Sequence, residues 1–544
     1  MRRSLLVVFL LAAVLVPVPP AGAENGRRSP IVSPRFTWSM EPRFGMDSDG
    51  DGRIDLPNTH EYSHNRAPGS CDAGCSTPRF LVHFDGGVSG AAMADVSAAL
   101  PLLQFAWEVR GGDLTRPLEF VRAGPTLDLL LAEGDYEVTL SVLARIPWGS
   151  VRASTTEAIT VDDILIVAMG DSYASGEGNP EVPRGDGGEP ALWGDGPGHA
   201  ATHRSTVAWP ARLALAVEMA DPHTSVTLLS VAASGATIRR GMLAPQGGDL
   251  DTSQIDSATL LVGDRGIDLA LVAIGGNDVG FAHIVRGLVD ADPQLDPICY
   301  RTDLENVWLS AADGDWGRSS SLSYSFTSPL RIACERAIGG NGPRLAGLDG
   351  LPGDLDRLAG ALEGLAPARV AMMEYSDPTG GEAGTCAEIV GDVTPPFTFH
   401  EIDRLEQTAG LERVIGPLNT ELATAAARHG WTYLGGVREA FAGHGYCSEW
   451  PDYGYPEEYH DLPGFARSRL DHPTGWYRNP GRFGGGALIG GPDVSWYRTA
   501  AQSAALQGPT TRFATTGTMH PNELGHAAIA RIALSLLGNR EAGD

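Results

Sequence analysis

Asp163-Ile-Leu-Ile-Val-Ala-Met-Gly-Asp-Ser172 is the stretch on which the fold turns. Six apolar residues, Ile164 to Met169, stand between an aspartate and a glycine. The run is too short for a helix and does not alternate, so it reads as a strand buried on both faces, as in a parallel sheet. Similar runs follow at Val226–Val231, Leu269–Ile274 and Ala368–Tyr375, with a shorter one at Trp431–Leu434. Between them, Trp209–Glu218, Leu351–Leu365 and Ile415–His429 have helical spacing. An amphipathic helix over Asn522–Leu537 ends the series, and Pro521 suits its first turn. Buried strands alternating with helices predict an α/β sheet covered on both faces.

In such a sheet, ligands bind beyond the carboxyl ends of the strands. Three polar clusters occupy those ends: Gly170-Asp-Ser-Tyr173, Ala233-Ser-Gly235 and Gly275-Gly-Asn-Asp278. They are expected to converge on one edge. Gly170 permits a tight turn from strand into helix. Ser172 then sits where its hydroxyl can rise from the sheet and its N–H joins the free amides of a helix start, which favour developing negative charge. An N-capping serine is the plain alternative. Ser175, three residues on, reads as a packing or hydrogen-bonding residue, and Asp171 as a cap.

The longer string Gly170-Asp-Ser-Tyr-Ala-Ser-Gly-Glu-Gly178 resembles the first sequence block of the SGNH, or GDSL, hydrolases, close to their extracellular actinobacterial branch. His203-Arg-Ser-Thr-Val-Ala-Trp-Pro210 resembles a further string of that branch. The resemblance spans roughly 160–540. It implies a three-layer, flavodoxin-like parallel sheet and a serine hydrolase of carboxylic esters, with Ser172 as nucleophile. It also implies an oxyanion hole formed by the Ser172 and Gly235 N–H groups and the Asn277 side chain. His520, in Thr518-Met-His-Pro-Asn-Glu-Leu-Gly-His526, matches the family's histidine block as general base, while His526 reads as a packing or capping residue inside the last helix. Many members carry an aspartate three residues before this histidine; here that position is Gly517. Either a backbone carbonyl orients the imidazole, or an acid comes from elsewhere, with Asp461 and Asp471 as candidates. The orienting group's task is to fix the imidazole tautomer, which a carbonyl can do.

Upstream the texture changes. Residues 79–161 hold short β-rich runs, Phe80–Phe84, Phe105–Val109, Leu127–Leu131, Tyr136–Val142 and Thr155–Val161, parted by Gly, Asp and Pro. They read as a smaller all-β sandwich. Glu133-Gly-Asp-Tyr-Glu-Val-Thr-Leu-Ser-Val142 resembles the closing hairpin of PKD-like, immunoglobulin-fold modules. Residues 24–78 read as an extended lead-in. Within it, Asp47, Asp49, Asp51, the Arg53 carbonyl and Asp55 resemble the calcium loop of EF-hands and dockerins, a structural site at most. An acidic solvated turn is the alternative, since position twelve is Asn58. No cofactor is expected for catalysis.

Residues 1–23 have the pattern of a secretory signal: Arg2 and Arg3, an apolar run from Leu5 to Val16, and small residues Ala21 to Ala23. Residues 162–544 would then form the hydrolase domain of a secreted, extracellular chain without a transmembrane segment. Six cysteines in a secreted chain predict disulfides, with the local pairs Cys71–Cys75, Cys299–Cys334 and Cys386–Cys447 as a guess among fifteen connectivities. The 544 residues carry a net charge of −27 and no lysine, which disfavours nucleic acid and anionic membranes as partners. An insertion at 286–345 and the aromatic stretch 441–480 are candidates to shape an acyl pocket. The expected partner is a small-molecule or lipid ester, with the sandwich available for polymer or surface contact. Polysaccharide or glycan O-acetyl ester cleavage and phospholipase action are the enzymatic alternatives. A surface-binding protein with an inactive hydrolase fold is the non-enzymatic one.

Overall fold

The computed structural model describes residues 33–45, 79–89, 102–146, 149–181, 190–193, 199–248, 250–280, 346–378, 393–394, 397–398, 410–445, 495–498, 503, 506–507 and 516–538. The leader, the calcium-loop residues Asp47, Asp49, Asp51, Arg53 and Asp55, the insertion, the aromatic stretch from Tyr446 onward, Asp461 and Asp471 lie outside them. The disulfide expectation is corrected. Among the described residues no cysteine is paired, and Cys71, Cys75, Cys299, Cys334, Cys386 and Cys447 all fall outside them. The pairings Cys71–Cys75, Cys299–Cys334 and Cys386–Cys447 are withdrawn.

Seven strands come first: β1 (Ser33–Met40), β2 (Arg79–Ser89), β3 (Leu102–Gly111), β4 (Leu118–Arg122), β5 (Thr126–Ala132), β6 (Gly134–Ile146) and β7 (Gly149–Gly170). One antiparallel sheet has the order β1-β2-β5; β7, β6, β3 and β4 are neighbours in another. Period-two alternation places Val138, Leu140 and Val142 of β6 inward. Phe36 of β1 and Phe84 of β2 meet Trp107 of β3, with ring centroids 5.4 and 5.7 Å apart, so the two sheets share one core. β1 lies in the stretch that reads as a lead-in, yet Phe36, Trp38 and Met40 alternate along it and pack into the sandwich core, a period-two signal that sequence reasoning missed.

β7 belongs to both halves of the molecule. Up to Val161 it pairs antiparallel with β6; from Asp162 it pairs parallel with β8 (Thr224–Ser230). Where the alternating pattern gives way to the continuous run Ile164–Met169, the strand passes from a sandwich into a sheet covered on both sides. β9 (Leu269–Ala273), β10 (Arg369–Met373) and β11 (Thr432–Leu434) complete that sheet in the order β8-β7-β9-β10-β11, all parallel.

Its helices are α1 (Ser172–Ser175), α2 (Trp209–Ala220), α3 (Gln254–Val262), α4 (Ala346–Leu365), α5 (Gly416–His429) and α6 (Glu523–Gly538). α6 packs on α2, while α4 packs on α3 and α5. These two groups cover strands whose centres, such as Ala168, Leu271 and Ala371, are wholly buried. The chain leaves β7 for one edge and returns past it to β9. The gap between those two strands is therefore the topological switch point, the position at which ligands bind in sheets of this kind.

The halves are also tied together away from β7. The Glu218 carboxylate on α2 accepts the N–H groups of Arg43, Phe44 and Gly45, which follow β1, and of Val226 in β8. Phe44 is buried in the α/β core. Arg265 bonds Asp163 at 2.7 Å and Glu133 at 3.1 Å, bridging the start of the buried run to the turn before β6.

Candidate active site

The site grows from the end of β7. Gly170 has φ +134°, and a Cβ there would lie 1.9 Å from the Ala273 carbonyl oxygen, so only glycine lets β7 pass this close to β9. Gln254 of α3 clamps the same residue, accepting its N–H at 2.7 Å and donating to its carbonyl at 2.8 Å. The Asp171 N–H donates to Ala273 O and the Ala233 N–H to Gly170 O, at 2.8 and 3.0 Å. The segments after β8 and β9, which carry Gly235 and Asn277, thereby flank Ser172.

Asp171 caps α1, accepting the Tyr173 N–H at 3.0 Å. Its other oxygen accepts the Tyr375 hydroxyl, from just beyond β10. Burial raises its pKa to about 7 against the pull of those two donors. Ser175 donates to the Ser172 carbonyl at 3.3 Å. Neither residue hydrogen-bonds the histidine, in keeping with capping and packing roles.

Ser172 Oγ and His520 Nε2 are 2.7 Å apart, and His520 Nδ1 lies 3.2 Å from the Thr518 carbonyl oxygen. With Nδ1–H donating to that carbonyl, the Nε2 lone pair faces the hydroxyl. The preceding residue, Met519, sits at φ +58°, a left-handed conformation costing a non-glycine residue on the order of 1 kcal/mol. Reciprocal backbone bonds hold it: Met519 N–H to Arg498 O and Arg498 N–H to His520 O, both 2.8 Å. Burial lowers the His520 pKa. The nearby Glu177 charge and the Thr518 and Gly517 carbonyls oppose this, but the net direction is down.

Gly235 has φ +78°, which turns the chain after β8. Asn277 donates one amide hydrogen to Ala236 O at 3.0 Å, linking the two segments. Among the described residues, the Ser172 and Gly235 N–H groups and the second Asn277 amide hydrogen have no protein acceptor. Asp278 takes the Ile238 N–H on both carboxylate oxygens, at 3.0 and 3.2 Å, and burial raises its pKa to about 7. His526 is buried in α6 and accepts the Trp209 N–H at 3.2 Å, a packing role away from the serine.

Sequence reasoning overlooked Tyr375 and the environment of Glu177, since their partners come from distant segments. A serine bonded to an imidazole, whose far nitrogen is held by an acceptor, can lose its proton to that imidazole and attack an electrophilic carbon. Among the described residues no cluster of three or more His, Cys, Asp or Glu could hold a metal, and no helix is long and apolar enough to cross a membrane.

No family model and no curated protein matches the chain. Among solved structures it is similar to one described as "The active site of a carbohydrate esterase displays divergent catalytic and non-catalytic binding functions", at 14% identity over 56% of this chain and 75% of that one, with a TM-score of 0.18. A likeness this slight extends to neither mechanism nor substrate.

Proposed function

We propose that the protein is a serine hydrolase of the SGNH type. Within that class we assign it the cleavage of carboxylic esters outside the cell, through a Ser-His acyl-enzyme mechanism. The observation that supports this most is the 2.7 Å contact between His520 Nε2 and Ser172 Oγ, with Nδ1 facing a carbonyl. The strand order and the motif strings at three strand ends support it further.

In this reading His520 takes the Ser172 proton as Oγ attacks the ester carbonyl. The Ser172 and Gly235 N–H groups and the Asn277 amide carry the oxyanion charge. His520 then passes its proton to the leaving alcohol, and water repeats the cycle to release the acid. The Thr518 carbonyl holds the tautomer in place of a triad carboxylate.

Ser172→Ala should lower kcat/KM for an activated ester by about 10⁴-fold or more, and a fluorophosphonate should label only the unsubstituted protein. Full activity in the variant would overturn the assignment; an unlabelled parent protein would favour an inactive fold. Fatty-acyl esters, phospholipids and acetylated glycans assayed side by side separate the lipase or esterase reading from its two relatives.

A further inference from the structure

Glu177, in the string that carries Ser172, has no catalytic role in the mechanism above, yet its side chain is wholly buried. Four donors converge on its carboxylate. Gln507 Nε2 and Thr516 Oγ1 each donate to Oε1 at 2.6 Å. His203 Nδ1 donates to Oε2 at 2.5 Å, and the Ser234 hydroxyl bonds the same carboxylate. Three of these donors lie beside segments of the site. Thr516 precedes the turn that presents His520, Ser234 adjoins Gly235, and His203 lies on the loop before α2. That loop is built with care: His203 adopts φ +53° and stacks on Trp193, with ring centroids 4.3 Å apart and planes 10° from parallel.

A buried carboxylate is costly unless it is fully hydrogen-bonded, and this one is. Burial pushes its pKa up, but His203 and the other partners outweigh that and hold it well below the ordinary range. The Glu177 charge favours a proton on His520 and the His203 charge disfavours one.

We propose that Glu177 is a positioning residue that acts in two ways: it crosslinks the segments bearing the nucleophile, the oxyanion glycine and the imidazole, and it supplies the negative charge that Gly517 cannot. The inference rests on the Ser-His reading of the site. The triad carboxylate in other serine hydrolases both orients the imidazole and stabilises its cation. Here the two tasks are divided. The Thr518 carbonyl orients the ring, and Glu177 acts on its charge through space. His203 moderates that field, because protonated His203 offsets the carboxylate as seen from His520.

Among the described residues, the charged and titratable groups around His520 are Glu177 and Tyr173 after β7, His203 before α2, Arg498, and His526 on α6. Two variants of the full chain test the idea by opposite shifts. Both are assayed with p-nitrophenyl butyrate from pH 4.5 to 9, beside Ser172→Ala. Glu177→Gln should lower kcat by about tenfold or more and move the acid limb of kcat/KM to lower pH. His203→Gln, which leaves the carboxylate charged but removes its cationic partner, should move that limb to higher pH. A purely structural role would reduce kcat in both and leave the limb in place. An unmoved limb, or a shift of the same sign in both variants, overturns the proposal. If Glu177→Gln does not fold, the direction of the His203→Gln shift decides alone. A Ser172→Ala protein with full activity would instead remove the underlying Ser-His reading.

Discussion

His520 meets two opposing demands. In the proposed mechanism it is buried to exclude water from the serine, yet must become a cation when it takes the proton. Burial wins in the resting state, so its pKa lies below the ordinary imidazole value. An imidazole acts as a general base only when neutral. The acid limb of kcat/KM is therefore expected below about pH 6.5, the value of a free histidine, with a plateau from there to pH 8. A limb well above 6.5 in a pH–rate profile would contradict this. Met519, strained at φ +58°, shows that the turn presenting His520 is imposed by its neighbours rather than chosen by its own sequence. Ser172, His520, Gly235 and Asn277 could be singled out because strand-end position and motif strings mark them. Tyr375 on Asp171, and the four donors on Glu177, could not, since each is an ordinary residue until folding brings it near.

At the scale of elements, the turn between β7 and α1 decides whether a site exists. Gly170→Ala would need a Cβ 1.9 Å from the Ala273 carbonyl, together with φ +134° in a non-glycine residue. The variant should lose at least about 2 kcal/mol of stability, together with activity, by denaturant unfolding and ester assay. A stable, active Gly170→Ala protein would mean that β7 and β9 are not so close. The strands of the parallel sheet could be anticipated because continuous apolar runs have few other uses. β4 could not, since its run Leu118–Arg122 is short and largely exposed; β1 leaves a trace in the alternation of Phe36, Trp38 and Met40, inside a stretch that otherwise reads as a lead-in.

At the scale of the molecule, one 22-residue strand serves two architectures, and buried carboxyls reinforce the joint. Glu218 receives three backbone N–H groups across it and a fourth from Val226 of β8, yet burial outweighs them and raises its pKa to about 7, as in Asp171 and Asp278. In the unfolded chain these groups titrate near pH 4. The fold then holds the extra protons, so the stability they contribute is complete below about pH 4 and is lost as pH rises through 7. Glu218→Gln removes one such group. Its melting temperature should fall less steeply than that of the parent between pH 5 and 8, even if it is lower throughout. An equal or steeper slope in calorimetry would show that Glu218 is ionised in the fold.

The pattern of apolar residues alone determined that this chain builds a parallel α/β sheet after a β-rich region, and which strand ends carry polar chemistry. That information is local, because burial on one face or two leaves a period in the sequence. Tertiary structure alone decided the strand order, the continuity of β7 through both sheets, the carbonyl that faces His520 and the network around Glu177. Each depends on distances between residues far apart in the chain, such as Ser172 and His520, and those distances are set only when packing closes the loops between them.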